Sequence, residues 1–168
     1  MKRVLLTLFL LIGFLVVYWF WSDRKSASLE FDQPSIQEEM QSLELYFGNS
    51  EKDPEFLHCD RVYPVIRQLA PTSTPAKTAL QLLLEGPTQE EHSQGYFTSI
   101  NPGVQLRSVS IEGGIARADF SRVLDEGVAG SCRVVAIRAQ IDSTLRQFEA
   151  VREVQILVEG QAEAILQP

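Results

Sequence analysis

Residues 130–158 read GSCRVVAIRAQIDSTLRQFEAVREVQILV, and this stretch decides the fold. In its first part the apolar residues recur in steps of three and four, which predicts a helix with one buried stripe. That stripe comprises Val134, Ile137, Ile141, Leu145 and Phe148. In the last part Val154, Ile156 and Val158 alternate with other residues, as in a strand that buries one face. A helix followed closely by a strand predicts the spine of an α+β domain.

The remaining face of the predicted helix is polar and is expected to face water. It comprises Arg133, Gln140, Asp142, Arg146 and Gln147. Ser131 is the expected N-cap, because its hydroxyl can accept a hydrogen bond from a backbone N–H that has no helical partner. No pattern in this stretch is typical of a reaction centre.

Two strands are predicted near the start of the globular part. Apolar residues alternate from Leu43 to Phe47, which indicates a strand with one face turned inward. A polar loop follows, and residues 61–69 are the second strand. Pro64 favours an edge position for that strand, because proline has no backbone N–H to give to a neighbour.

The next element is a predicted helix over residues 74–86. Thr74 can cap it, Pro75 suits its first position, and Gly86 followed by proline ends it. The residues expected on its buried face are Ala76, Ala79, Leu80 and Leu83.

A hairpin is predicted around Gly113 and Gly114, because two glycines between strand-like runs tolerate the positive φ angles of a two-residue turn. The expected cross-strand pairs are Ile111 with Ala116 and Val109 with Ala118. Leu106 does not continue the alternation of inward-facing residues set by Val109 and Ile111, which predicts a bulge near residues 107–108. The element order then favours a mixed sheet of about five strands with two helices packed on one face.

Four pieces of the sequence resemble one family. They are LELYF (43–47), ALQLLLEGPTQEE (79–91), LRSVSIEGGIARADFS (106–121) and the decisive stretch extended to residue 160. Together they resemble the GerMN domain family of bacterial sporulation and germination proteins. The resemblance implies an α+β domain similar to ring-building motifs, held outside the cytoplasm and without known catalysis. It does not by itself carry a sporulation role to this chain.

The N-terminus has the strongest local signal. No charge interrupts residues 4–21, and a helix of that length spans about 27 Å, close to the hydrocarbon thickness of a bilayer. Aromatic residues at its end suit the headgroup boundary. A cleaved signal peptide is the competing interpretation, but polar residues 22–25 separate the apolar run from small residues, which favours an uncleaved anchor.

The chain is accordingly divided into three parts. Residues 1–25 are the predicted anchor with its flanks, and residues 26–42, which have little apolar periodicity, are a predicted flexible tether. Residues 43–168 are the predicted GerMN-like domain. The expected location is the cell membrane, crossed once, with the C-terminal domain outside the cytoplasm.

Charge limits the possible partners. The formal net charge is −7, and the acidic excess lies after the N-terminal segment. Such a surface repels phosphate backbones, which argues against nucleic-acid binding. The expected partners are the membrane, through the N-terminal helix, and either other copies of the chain or other envelope proteins.

Cys59 and Cys132 have two interpretations. An even number of cysteines in an oxidising compartment favours a disulfide, which would stabilise the fold by about 4 kcal/mol on the chain-entropy model. Alternatively, Cys132 near a helix N-terminus would have a lowered pKa and act as a nucleophile. His58 is adjacent to Cys59, but neighbouring residues of a strand point to opposite faces.

Other reactive groups are not indicated. His58 and His92 have no metal-ligand spacing with a second strong ligand, and no acid pair or phosphate loop is found. We therefore expect no catalytic residues, no metal and no cofactor. The expected function is a membrane-tethered interaction or assembly module; a thiol enzyme using Cys132 and a cell-wall ligand-binding domain are the alternatives.

Overall fold

The computed structural model describes residues 18–21, 40–55 and 57–162. Contacts divide the chain into two units, residues 1–37 and 38–168. In the first unit residues 18–21 are helical, and the rest of the predicted anchor lies outside the described residues. Of the predicted tether, the structure describes residues 40–42, and the first strand already begins at Gln41. Among the described residues, no helix has both the length and the apolar content needed to cross a bilayer.

The first sheet of the second unit has three antiparallel strands in the order β2-β1-β3. They are β1 (Gln41–Asn49), β2 (Tyr63–Leu69) and β3 (Tyr96–Phe97). The alternation predicted for β1 is confirmed, because Leu43, Leu45 and Phe47 are all buried. The edge position predicted from Pro64 is also confirmed, since β2 ends the order.

The second sheet also has three strands, in the order β4-β5-β6. They are β4 (Leu106–Glu112), β5 (Ile115–Phe120) and β6 (Glu153–Val158). The hairpin between β4 and β5 has the predicted pairs, and its register shifts between Leu106 and Ser108, where the bulge was expected. β6 returns parallel to β5.

In the described part of this unit there are also three α-helices, α1 (Pro75–Glu85), α2 (Gln89–Ser93) and α3 (Ser131–Arg146), and a short 3-10 helix at Arg122–Leu124. The buried residues of α1 are the four that the sequence predicts. The N-cap of α3 is Gly130, with φ of 89°, so the prediction of Ser131 as the cap is wrong. Ser131 is instead the first helical residue, because only the glycine accepts that positive φ without strain.

The prediction of one sheet of about five strands with two helices on one face is wrong, because the strands form two sheets. The second edge of β1 is occupied by polar side chains at the end of α3. The side chain of Gln147 accepts a hydrogen bond from Glu44 N–H at 2.9 Å and donates one to Glu44 C=O at 2.8 Å. Thr144 Oγ1 accepts from Tyr46 N–H at 3.1 Å. These bonds satisfy backbone groups that a fourth strand would otherwise pair.

The polar face of α3 is therefore not fully solvated. Gln140 and Thr144 are completely buried, and Gln147 is half-buried, so the prediction that Gln140 and Gln147 face water is wrong. Arg133 and Arg146 are exposed as expected. The apolar stripe of α3 is confirmed and joins residues of both sheets in one core.

A second polar bridge ties the edge strand β2 to α2. Arg67 forms an ion pair with Glu91 at 2.7 Å and donates a hydrogen bond to Gly86 C=O at 2.9 Å. Burial raises the pKa of the Glu91 carboxyl, but hydrogen bonds from Arg67 and Thr88 and the charge of Arg67 outweigh that effect. The resulting pKa lies below the ordinary value, so Glu91 is ionised in the folded protein at neutral pH.

We predict that Gln147→Leu lowers the free energy of unfolding by about 1–3 kcal/mol, because it leaves two backbone groups of β1 without partners. Urea unfolding measures the change. Gln105→Leu is the matched control, because Gln105 is an exposed glutamine on no sheet edge, and its cost should stay within about 0.5 kcal/mol. Equal stability of the two variants would contradict this role for Gln147.

Candidate functional site

A cleft of about 910 Å³ lies where α3, the loop between β1 and β2, and the loop after β3 approach one another. The end of α1 completes its wall through Leu84, Glu85 and Gly86. Small-molecule sites in proteins commonly enclose about 300–1,000 Å³, so the cleft is large enough for a ligand of several rings or residues. Sequence analysis did not predict a cleft here.

The disulfide forms part of the cleft wall. Cys59, before β2, is joined to Cys132, the second residue of α3, with 2.01 Å between the sulfurs and 5.0 Å between the Cα atoms. Among the described residues no cysteine is free, so the structure has no thiolate of the kind that the enzyme interpretation requires. The bond holds the β1–β2 loop against the first turn of α3.

Two polar residues that line the cleft, half-buried Thr98 and buried Gln140, are bonded to each other. Thr98 Oγ1 accepts a hydrogen bond from Ile100 N–H at 3.1 Å and bonds Gln140 Oε1 at 2.8 Å. Because Gln140 Oε1 is an amide oxygen and can only accept, the Thr98 hydroxyl is the donor of this bond. The side chain of Gln140 is therefore oriented by the loop after β3.

Gln140 Nε2 is buried and has no hydrogen-bond partner among the described residues. A buried donor without a partner costs about 1–3 kcal/mol. Gln140 was assigned to the solvent face from the sequence. The spacing nevertheless indicates burial of Gln140. It lies three residues after Ile137 and four before Thr144, so all three lie on one side of the helix.

The loop that forms the opposite wall is braced at Asn101. Its side-chain amide donates hydrogen bonds to the carbonyl oxygens of Val123 at 2.6 Å and Glu126 at 2.8 Å. The side-chain oxygen of Asn101, Oδ1, accepts a hydrogen bond from Arg133 Nη2 at 2.6 Å. Arg133 Nε donates a second hydrogen bond to the backbone carbonyl of Ser99 at 3.4 Å. Arg133 thus links the first turn of α3 to this loop.

An aromatic residue closes the side of the cleft next to β1. The ring of Phe97 packs so closely on Gly48 that a Cβ atom there would overlap it. Glycine is therefore required at position 48 for the ring to lie against the strand. The alternation that predicts β1 ends at Phe47 and gives Gly48 no role.

The cleft is lined by equal numbers of negatively and positively charged side chains. Asp53 and Glu85 carry negative charge, whereas Arg61 and Arg133 carry positive charge. His58 also lines the cleft, while His92 lies in α2 outside it. Within the parts of the chain that the structure describes, no group of three His, Cys, Asp or Glu residues could hold a metal ion.

Comparison with known proteins gives a family match. Residues 44–164 match the family model named Germane, described as sporulation and spore germination. No curated protein matches the chain significantly.

Solved structures give matches of the same kind. The tandem GerMN domains of the sporulation protein GerM from Bacillus subtilis align with a TM-score of 0.57 and 23% identity, over 73% of this chain and 40% of that one. The first GerMN domain of that protein aligns with a TM-score of 0.54 and 24% identity, over 73% of this chain and 85% of that one. The chain thus spans less than half of the tandem structure, and these similarities establish the fold.

We predict that Cys59→Ser/Cys132→Ser lowers the free energy of unfolding by about 2–4 kcal/mol, because the closed loop no longer restricts the unfolded chain. Thermal and urea unfolding measure this loss. The intact mass of the unreduced protein should be about two units below that of the reduced protein, as a bond replacing two S–H groups requires. Rapid alkylation of both cysteines in the folded, unreduced protein would refute the bridge.

Proposed function

The chain belongs to the Germane family of sporulation and spore germination domains, and on that premise we propose that it works by association. It acts as a membrane-tethered interaction module outside the cytoplasm and has no turnover of its own. The observation that carries the proposal is an apolar residue exposed at the centre of an edge strand.

That residue is Ile66, whose side chain is 62% exposed in the middle of β2. β2 ends the first sheet, and among the described residues no strand pairs with its outer edge. Ile66 lies opposite Glu44 on β1, and Pro64 lies opposite Tyr46, so these four share one face of the sheet. An apolar side chain beside an open strand edge is a suitable contact for another polypeptide.

The two polar side chains of this face, Tyr46 and Glu44, are hydrogen-bonded to each other. The Tyr46 hydroxyl donates a hydrogen bond to Glu44 at 2.6 Å. This bond, together with burial and the charge of Glu44, raises the pKa of Tyr46 to about 12. The phenol therefore stays neutral and fixed, which lowers the entropy that its ring loses when a partner covers it.

We assign the partner surface to the exposed side of α3 in a second copy of the chain. Val135, on that side, is 38% exposed although it is apolar. A helix of one copy against the sheet of the next would be the helix-to-sheet contact of ring-building domains, which the GerMN resemblance suggests. Anchoring copies in one membrane raises their effective concentration, which strengthens weak contacts.

We predict that Ile66→Lys lowers self-association at least about tenfold, because a charge placed at an apolar contact must be desolvated. Sedimentation velocity over a concentration series of the full-length chain, in mild detergent, measures the shift. Ser110→Lys is the matched control, since it adds the same charge to an exposed position of β4, an edge strand of the second sheet. Both variants should keep the thermal stability of the parent.

The outcome separates the possible partners. Loss of association in Ile66→Lys alone supports contact between copies through this face. A parent that stays monomeric at every concentration would contradict self-association, and a different envelope protein would then have to be the partner. Equal loss in both variants would show a general charge effect and would remove Ile66 from the interface.

The membrane tether is a separate part of the proposal. The uncharged run at residues 4–21 supports an uncleaved helix that crosses the bilayer once. The disulfide supports an oxidising compartment for the domain that follows. We predict that a reporter active only outside the cytoplasm is active when fused after residue 160. An active cytoplasmic reporter at the same position would overturn this topology.

A further inference from the structure

The cleft beside the disulfide has the features of a ligand site that the association surface does not use. We infer that it binds an uncharged ligand carrying a secondary amide, and that the amide carbonyl oxygen accepts a hydrogen bond from Gln140 Nε2. The inference goes beyond association between copies, because Ile66 is not among the residues that line the cleft.

The first support is the unpaired donor. Gln140 is completely buried, lines the cleft, and has its Oε1 held by Thr98, so its Nε2 is directed elsewhere by the same bond. Within the described part of the chain this nitrogen is the buried side-chain polar atom that lacks a partner. Buried donors in native proteins are nearly always paired, so Gln140 Nε2 takes an acceptor from outside the described chain. A carbonyl oxygen is such an acceptor.

The second support is the composition of the wall. Two acidic and two arginine side chains balance, so the cleft does not select a net charge on its ligand. Phe97, Ile100 and Leu84 also line the cleft and supply apolar surface. A few placed polar groups among apolar ones are typical of sites that orient an uncharged ligand. A secondary amide combines a carbonyl acceptor with adjoining apolar carbon.

The third support is that the walls are held before any ligand arrives. The Cys59–Cys132 bond fixes the β1–β2 loop to α3 on one side. On the other side Arg133 and Asn101 fix the loop after β3. A preformed wall reduces the ordering cost of binding.

Secondary amides occur both in N-acetylated sugars and in peptides, and three uncharged probes distinguish these sources. Chitotriose carries an acetamido group on each ring. Cellotriose has the same linked rings with a hydroxyl at each of those positions, so it is the matched control for the amide. N-acetyl-trialanine amide presents secondary amides without a sugar.

The experiment is isothermal titration calorimetry of each probe into the full-length chain, with nuclear magnetic resonance of the glutamine side-chain amides. We expect chitotriose to bind at least about tenfold more tightly than cellotriose, because only the acetamido group supplies the carbonyl acceptor. The amide protons of Gln140 should shift on binding. Tighter binding of the peptide probe with the same shift would assign the amide to a peptide.

Two variants test the residue itself. Gln140→Met removes the donor with little change of volume and should weaken the favoured probe at least about tenfold. Gln105→Met makes the same substitution at an exposed glutamine outside the cleft and should bind as the parent does. If Gln140→Met fails to fold, Ala136→Leu still tests the site, because Ala136 lines the cleft one turn before Gln140 and a larger side chain there occupies it.

Several results would overturn the inference. Binding of none of the three probes, or equal binding of chitotriose and cellotriose without tighter binding of the peptide probe, would leave a trapped water as the partner of Gln140. Unchanged binding in folded Gln140→Met and in Ala136→Leu would place the ligand elsewhere. Association is judged independently, because Ile66→Lys should bind the probe as the parent does.

Discussion

The structure depends on how the second edge of β1 is closed. Beyond its partner β2, this strand pairs with another strand only at Gly48 and Asn49 within the described residues. Along the rest of this edge the N–H and C=O of Glu44 bond the side chain of Gln147, and the N–H of Tyr46 bonds that of Thr144. Buried backbone groups must be paired, so the end of α3 has to lie along this edge. The second sheet therefore cannot continue the first.

The same constraint explains the cleft. Gln140, Thr144 and Gln147 lie at intervals of four and three, so they form one polar stripe along α3 and its C-terminal end. Thr144 and Gln147 face β1, whereas Gln140 faces the point where β1 pairs with β3. There a strand already occupies the edge, and Gln140 bonds Thr98 in the loop after β3 instead. One stripe thus serves both the edge of the sheet and the wall of the cleft.

The two proposed binding surfaces have different physical origins. The outer face of the first sheet exposes Ile66 because β2 ends the sheet and its inner residues already cover the core. The cleft lies between two loops that are each fixed to α3 by their own contacts, one by the disulfide and the other by the bond from Arg133 to Asn101. A change on one surface leaves the contacts of the other intact. The proposed association and the proposed ligand binding can therefore be tested separately in one small domain.

Local pattern determined most elements of the fold. The buried faces of β1 and α1, the glycine hairpin with its register and bulge, and the apolar stripe of α3 all follow from periodicity and turn chemistry, which depend on neighbouring residues. Only the tertiary structure decided that the strands form two sheets. It also decided that Gln140 and Gln147 are withdrawn from water and that Gly48 lies under Phe97. Those outcomes depend on partners far apart in the chain, such as Glu44 for Gln147, and a polar side chain has the same local pattern whether it bonds water or a strand edge.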